Sequence, residues 1–447
     1  MLSLSDKKAR RRDWLRNLNN RNRTGGRAID GLTPLEVTRR GWLAGAGALA
    51  IAGCHPAARA DLRFWATSYE GDYSPHLTAA FERATGLSVD VQSVPSTAAH
   101  EKMLTAFAGG ALPDVFMVPS GWVREFWSIG AIAPVPSPAL IADTVPTALA
   151  LARVDGRDVA VPWAIAPQVQ YYRRDLLAAA GYAGPPDDWE AWRAMGRTLK
   201  RRRPDDYVFL MLLNWPDTLV SMLWQSGARL LREDDTRGNF SQPAAEAAFA
   251  FYKSLFDEGL APRALSTEVQ DPLAALAAGY FAIWPSWPTL LLDLRRRAAE
   301  LPRERWGVAR LAGPTGPSVA SMVSASLCVS ATTPRPREAW ALVRHLTSRS
   351  SEVKFQQMIG NLPARASAWN ALSLDPQVLA PFAAQLAAPG LAPPVIEWER
   401  IQIEIQYAAE RVVRGLQTIR QALAGLDARA DQLLAKRREL VQAGQIA

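Results

Sequence analysis

Residues 81–91 read FERATGLSVDV and residues 102–118 read KMLTAFAGGALPDVFMV, and the change of period within and between them decides the fold. Leu77, Ala80, Phe81 and Ala84 fall at i, i+3, i+4 and i+7, one face of a helix over His76–Thr85, with Gly86 placed to cap its C-terminus. Leu87, Val89 and Val91 then alternate with Ser88, Asp90 and Gln92, which is strand period. Working outward, Leu62–Trp65 is a short apolar run expected as a strand. A second helix carries Met103, Leu104 and Phe107 and closes at Gly109–Gly110, and Pro113–Asp114 opens the apolar run Val115–Val118. The order β-α-β-α-β predicts an α/β fold with a largely parallel sheet covered by helices.

Further along, Val159–Val161 and Val169–Tyr172 read as strands, and Trp189–Leu199 as a helix begun by Asp187 or Asp188. Ser241 is expected to cap a helix over Gln242–Glu258, with Ala245, Ala248, Phe249, Tyr252, Leu255 and Phe256 inward. Residues 333–374 are helical in pattern, broken at Gly360 and Pro363. The tail Ile401–Ala443 reads as two helices, split near Gly415 or Gly425. A chain of 447 residues fits two lobes.

The net charge of +8 suggests nucleic acid until it is located. Residues 1–53 hold eleven Lys/Arg against four Asp/Glu, and the remainder holds 40 against 39. A nucleic-acid binder concentrates its positive charge on the folded face, so this nearly neutral body argues against that class. Of two cysteines, Cys328 lies in an apolar run and is expected to be a buried, inert side chain.

The other, Cys54, ends a leader. Thr38–Arg39–Arg40–Gly41–Trp42–Leu43 has the twin-arginine arrangement, followed by a short apolar stretch diluted by Gly and Ala. Ile51–Ala52–Gly53–Cys54 looks like a lipobox, which makes Cys54 the lipid-attachment point and residues 54–60 a tether. A general secretory leader with incidental arginines is the alternative. Gly45–Ala50 also satisfies G-x-G-x-x-A, but no strand precedes it and no βαβ unit surrounds it, as a dinucleotide site requires.

The ordered motifs of the mature chain resemble the extracellular solute-binding proteins of ABC transporters, in the carbohydrate group that includes maltose- and trehalose/maltose-binding proteins. Phe81–Val89 resembles the family's F-E-x-x-T-G-I-x-V step, and Ala108–Val115 its A-x-G-x-x-P-D-V. Gly130–Val135 resembles G-x-L-x-P-L. Val161–Pro162 with Gln170–Leu177 resembles Y-x-x-P … L-Y-Y-N-K-D-L-F. Gly181, Pro185–Pro186 and Trp189–Glu190 resemble A-G-x-x-x-P-P-x-T-W-D-E, with Asp188 in place of Thr.

The resemblance implies a type II periplasmic-binding-protein-like fold: two α/β lobes joined by crossing segments, with a ligand cleft between them. Lobe 1 is expected at 61–164 and 325–372 and lobe 2 at 165–324 and 373–447. Crossings are expected near Pro162–Ala166, near Met322–Leu327 and within 368–380. The implied partners are a sugar or oligosaccharide and an ABC permease, with the receptor a monomer held at the membrane face by its lipid. Glycerol phosphate, a polyamine or another small solute on the same fold is the alternative.

Sugar recognition needs flat apolar faces and hydroxyl partners, and sixteen tryptophans are a rich supply of the former. Tyr69 and Glu70 match polar contacts of the maltose-binding relatives, Trp287 a stacking residue and Trp122 a family tryptophan. Trp163 and Trp398 are ligand candidates from position alone. Trp189, Trp192 and Trp340 sit at helix-packing spacing, and Asp114 reads as a turn or cap. Pro119–Ser120–Gly121 stands where many relatives place an acidic residue, and Ala166 or Pro167 where another acid is usual.

Catalytic signals do not accumulate. His55, His76, His100 and His345 form no H-x-x-x-H pair, and neither a P-loop nor a G-x-S-x-G elbow occurs. No metal or cofactor is expected. Glu397 and Glu399 could in principle serve a glycosidase but read equally as a solvated face, so a surface carbohydrate-active enzyme is the reading from another class.

Overall fold

Alternating side chains on the strands bury both faces of two separate sheets, and that arrangement organises residues 60–446, the portion described by this computed structural model. The leader calls, Arg39, Arg40 and Cys54, lie outside the described residues.

Strands β1 (Leu62–Thr67), β2 (Val89–Val94) and β3 (Val115–Pro119) pair in parallel, β1 between the other two. The helices Pro75–Thr85 and Ser96–Ala108 connect them. Pro75 starts the first, and Gly86 ends it in the left-handed conformation at φ 74°. Two small hairpins follow along the chain: β4 (Arg153–Val154) with β5 (Arg157–Asp158), and, later, β8 (Leu231–Arg232) with β9 (Arg237–Gly238). Between them lie β6 (Val161–Pro167) and β7 (Val169–Arg173). After them come β10 (Ile283–Ser286), β11 (Trp306–Ala309), β12 (Ala320–Val329), β13 (Leu362–Pro363) and β14 (Pro389–Gly390).

The large sheet runs β13-β6-β12-β3-β1-β2, with β14 beside β12, and the small one runs β10-β7-β11. On the large sheet, Phe64, Val115, Met117 and Leu327 face one core, while Phe116, Val118 and Cys328 face another. On the small sheet, Val169 and Tyr171 face one core and Tyr172 the opposite one. Burial on both faces is why these strands read as apolar runs rather than as alternations. Cys328 is fully buried, and burial pushes its thiol well above the usual range.

The chain passes between the sheets three times. Gln168 alone separates β6 from β7, residues 310–319 return the chain from β11 to β12, and residues 364–375 lead from β13 to helix Pro376–Leu386, packed on the small-sheet core. β12 pairs antiparallel with both β3 and β6, with a register shift at Ala325/Ser326.

Local chemistry explains much of the rest. Asp188 is the cap of helix Trp189–Arg202, accepting the Ala191 N–H at 2.8 Å. Asp114 is structural: it accepts the Arg63 N–H at 2.9 Å and the Thr333 hydroxyl at 2.6 Å. Three expectations are corrected. The helix expected from Ser241 begins at Pro243 behind Gln242 and has no side-chain cap, while the Ser241 N–H donates to Asp427. The strand expected at Val159–Val161 starts only at Val161. The tail forms three helices, Trp398–Val413, Ile419–Leu433 and Ala435–Gln442; the first break is at left-handed Gly415, and Gly425 lies within the second helix.

Candidate ligand-binding cleft

Where β3 ends, Ser120–Trp122 form a short 3-10 turn, and Ser120 Oγ accepts the Ser324 N–H of β12 at 3.3 Å. This turn, with Arg124 and residues Ala150–Val154, makes one wall of a cavity of about 410 Å³. Ser321–Val323 of β12 form its floor. The opposite wall is Asp217 and Trp224 of helix Asp217–Gln225, Leu391–Val395, and Trp398, Glu399 and Gln402 of the first tail helix. The volume lies within the range of roughly 300–1,000 Å³ usual for small-molecule sites, and the walls come from both sheet systems.

A second cavity, about 230 Å³, adjoins it and shares Asp217. It is lined by Gln168, Trp215, Thr218 and the run Trp284–Trp287. Each cavity carries two near-parallel indoles. Trp224 and Trp398 stack with centroids 6.1 Å apart in the first, and Trp215 and Trp284 with the same separation in the second.

The expected site residues separate under this geometry. Trp398 lines the first cavity and Trp287 the second. Trp122 is nearly buried beside the first, and its indole N–H donates to the Glu399 carboxylate on the opposite wall. Glu399, with Glu397 half of a suspected solvated face, thus faces the cleft, and Glu397 is itself largely buried. Trp163 is corrected: it has no exposure, stacks on Phe355 at 4.1 Å, and donates its N–H to the Leu346 carbonyl, so it belongs to the large-sheet core. Trp189, Trp192 and Trp340 are buried as packing spacing implied.

Tyr69 is exposed and lines neither cavity. Glu70 accepts the Asn361 amide N–H at 2.7 Å, and burial pushes its carboxyl up to about 7. Asn361 follows Gly360, whose φ of +88° and close packing on Pro288 and Thr289 leave no room for a Cβ. That contact sets Glu70 and its partner beside the loop that carries Trp287.

Charge in the cleft is mostly spoken for. Arg124 pairs with Asp155 at 3.0 Å and Arg153 with Asp158 at 2.7 Å. Asp217 is different. Among the described residues no side chain donates to its carboxylate, and its own N–H only partly offsets the effect of burial. Burial pushes it up to about 6. No described group of His, Cys, Asp and Glu could hold a metal ion, and no described helix is long and apolar enough to cross a membrane.

The family model of bacterial extracellular solute-binding proteins matches residues 67–352. The chain belongs to this family. Among solved structures, this solute-binding protein resembles the sugar-binding protein MalE of Xanthomonas citri, with 35% identity and a TM-score of 0.80. The match covers 85% of this chain and 99% of the other. A Brucella abortus binding protein is 27% identical over 411 residues, 89% of this chain and 98% of the relative. A Deinococcus radiodurans relative, named "Probable ABC transporter-binding protein", is 26% identical over 292 residues, 61% and 68% of the two chains. The family model and the similar solved structure are both described as binding proteins.

Sequence reasoning missed Asp217, Trp215 and Trp224. The available signal was Trp215–Pro216–Asp217 at the head of an apolar helix, which on its own reads as an ordinary helix start.

Proposed function

We propose that this protein is the substrate-binding lipoprotein of an ABC importer, capturing a sugar or oligosaccharide between its lobes and delivering it unaltered to the permease. The observation that carries this reading is a cleft whose walls come from both sheet systems and one of whose walls carries a pair of stacked indoles, Trp224 and Trp398. Indole faces suit the C–H side of a sugar ring, while carboxylate and amide groups suit its hydroxyls. The similarity to a sugar-binding MalE and to an ABC transporter-binding relative supports the same solute class and partner.

Residues 61–164 with 325–372 act as one lobe and 165–324 with 373–447 as the other. One lobe holds solute weakly, closure buries it against the second, and the higher affinity of the closed state drives the shift. Of the six contacts assigned to it from the sequence, Tyr69, Glu70, Trp122, Trp287 and Trp398 are kept and Trp163 is not, and Asp217 and Trp224 of the cleft are added.

In this reading the receptor is exported through its leader, is held at the membrane by lipid on Cys54 and acts as a monomer. Replacing Cys54 with Ser is expected to release it from membranes, and Arg39–Arg40 to Lys–Lys to stop export. Undiminished export of the Lys–Lys variant would return the general secretory route. The solute class is tested by a thermal-shift screen of the full-length protein against sugars, polyols, glycerol 3-phosphate and spermidine. Stabilisation by a sugar is expected. Stabilisation by the phosphate or the polyamine alone would reject the carbohydrate reading while leaving the fold intact.

A further inference from the structure

The charged side chains that line the two cavities are Arg124, Arg153, Asp217 and Glu399. Both arginines are already matched, Arg124 by Asp155 at 3.0 Å and Arg153 by Asp158 at 2.7 Å. The acids are not. Among the described residues no salt bridge reaches either carboxylate, and Glu399 has only the Trp122 indole N–H across the cleft.

Polar neighbours do not make up the difference at Asp217. The Gln168 backbone N–H donates to the Ser321 carbonyl at 2.9 Å, and its amide donates to the Thr218 hydroxyl at 3.2 Å. Ser221 Oγ donates to the Gln168 side-chain oxygen at 2.9 Å and accepts the Ser321 N–H at 2.9 Å. These groups satisfy one another and leave out Asp217, which lines both cavities. Its carboxyl, pushed up by burial to about 6, behaves as an acid with no cation beside it. One wall of the cleft thus carries negative charge that nothing in the protein balances.

The apolar surface beside that charge is of a matching kind. Trp224 and Trp398 stand on the same wall, and Trp215 and Trp284 share the smaller cavity with Asp217. An indole face attracts a cation through its quadrupole, more strongly where water is excluded. The hydroxyls of a plain sugar can fill a carboxylate's lone pairs but leave its charge in place. A protonated amine fills them and adds the attraction of opposite charges.

We infer that the solute is an amino sugar, and that Asp217 selects it by pairing with its protonated amine among the indoles. This rests on the carbohydrate reading proposed above and narrows it by charge, from neutral sugars to cationic ones.

Titration calorimetry on the full-length protein at pH 7 tests this. Glucosamine is compared with glucose and N-acetylglucosamine, which keep the ring and lack the charge, and the free diamine of chitobiose with its diacetyl form and with maltose. Spermidine, a cation without a ring, is a further arm. At least one amine is expected to bind tenfold or more tightly than its neutral counterparts, and added sodium chloride should weaken the amine alone. Asp217→Asn, its folding verified by thermal unfolding, should bring that amine to within about threefold of the neutral sugars. A neutral sugar binding as tightly as its amine, or an Asn variant that keeps the full preference, would overturn the inference and leave the sugar reading standing. Spermidine binding while no sugar does would overturn both, as would a wild type that binds none of these solutes. The wild-type comparison and its salt dependence need no variant, so the inference stays open to refutation even if Asp217→Asn fails to fold.

Discussion

Replacing Asp217 with Asn should make the unliganded protein more stable above neutral pH, and the gain should vanish in acid. The carboxyl is shifted by burial from 3.8 to about 6, so the folded state holds its proton more tightly than the unfolded chain does. Below the unfolded value both states are protonated and the residue contributes nothing. As pH rises from 3.8 to 6 the unfolded state ionises first, and above 6 the folded protein carries the full penalty of a charge in a poorly hydrated place. A shift of about two units at about 1.36 kcal/mol each sets a ceiling near 3 kcal/mol. Because the group opens on the cleft and water reaches it, we expect about 1–2 kcal/mol to remain. Asn does not titrate and resembles the protonated acid in shape. At about 2 °C per kcal/mol for a chain of this size, its melting temperature should exceed wild type by about 2–4 °C at pH 8 and match it at pH 3.5. Thermal unfolding of both proteins across that range reads this directly. An equal difference at both pH values, or a less stable Asn variant at pH 8, would refute the claim that an unpaired carboxylate sits there. A carboxylate kept in the cleft at that cost would be one retained for binding against the interest of stability.

Three further predictions address other parts of the molecule. Trp163→Ala should cost about 3–5 kcal/mol by opening a cavity in the large-sheet core while leaving solute affinity within twofold; a variant of native stability that binds poorly would return Trp163 to the cleft. Asp175 is penalised by burial, yet Arg173 and Arg305 hold it down at about 2, and the Arg173 guanidinium is almost fully buried. Asp175→Asn should therefore destabilise by about 1–2 kcal/mol in urea unfolding at pH 7, the shift discounted for a carboxylate that water partly reaches. The deficit should narrow as pH falls through 4 towards 2, since the wild-type contribution is complete above the unfolded value and disappears as the folded group protonates. Trp122→Phe removes the N–H given to Glu399 across the cleft. It should raise the radius of gyration of the unliganded protein in X-ray scattering while maltotriose restores the wild-type value; an unchanged unliganded profile would mean that this contact does not hold the walls together.

What could be read from the sequence depended on how local each signal was. The helix-to-strand step around Gly86, the cap at Asp188 and the inner stripe from Ala245 to Phe256 are set within a few residues, and the structure places them as their periods require. Trp163 escaped because Val161–Pro167 is buried along its whole length. In such a strand a core tryptophan and a cleft tryptophan have the same neighbours in sequence, and only Phe355, far along the chain, distinguishes them. Glu399 escaped because the residue that draws it into the cleft, Trp122, is 277 positions away. Asp217 was harder still. An acid at the first turn of a helix is favourable anywhere, and what sets this one apart is that Gln168, Thr218, Ser221 and Ser321 satisfy one another and leave it out. That is a property of a closed network, which no single stretch of chain carries.

The placing of β12 between β3 and β6 bears on how the molecule is made. Ser120, at the end of β3, meets its β12 partner 204 residues later. At roughly 5–20 residues per second a ribosome needs roughly 10–40 s to cover that distance. During the interval β1, β2 and β3 can already pair, but β3 shows an unoccupied, strongly apolar edge, the kind of surface on which nascent chains stick to one another. The small sheet is encoded within residues 169–309, but the large one is not contiguous and stays unfinished until β12 and β13 emerge. The topology that later serves solute capture thus imposes a wait during synthesis, and whatever shields the β3 edge through that wait is as necessary to the mature receptor as any residue in its cleft.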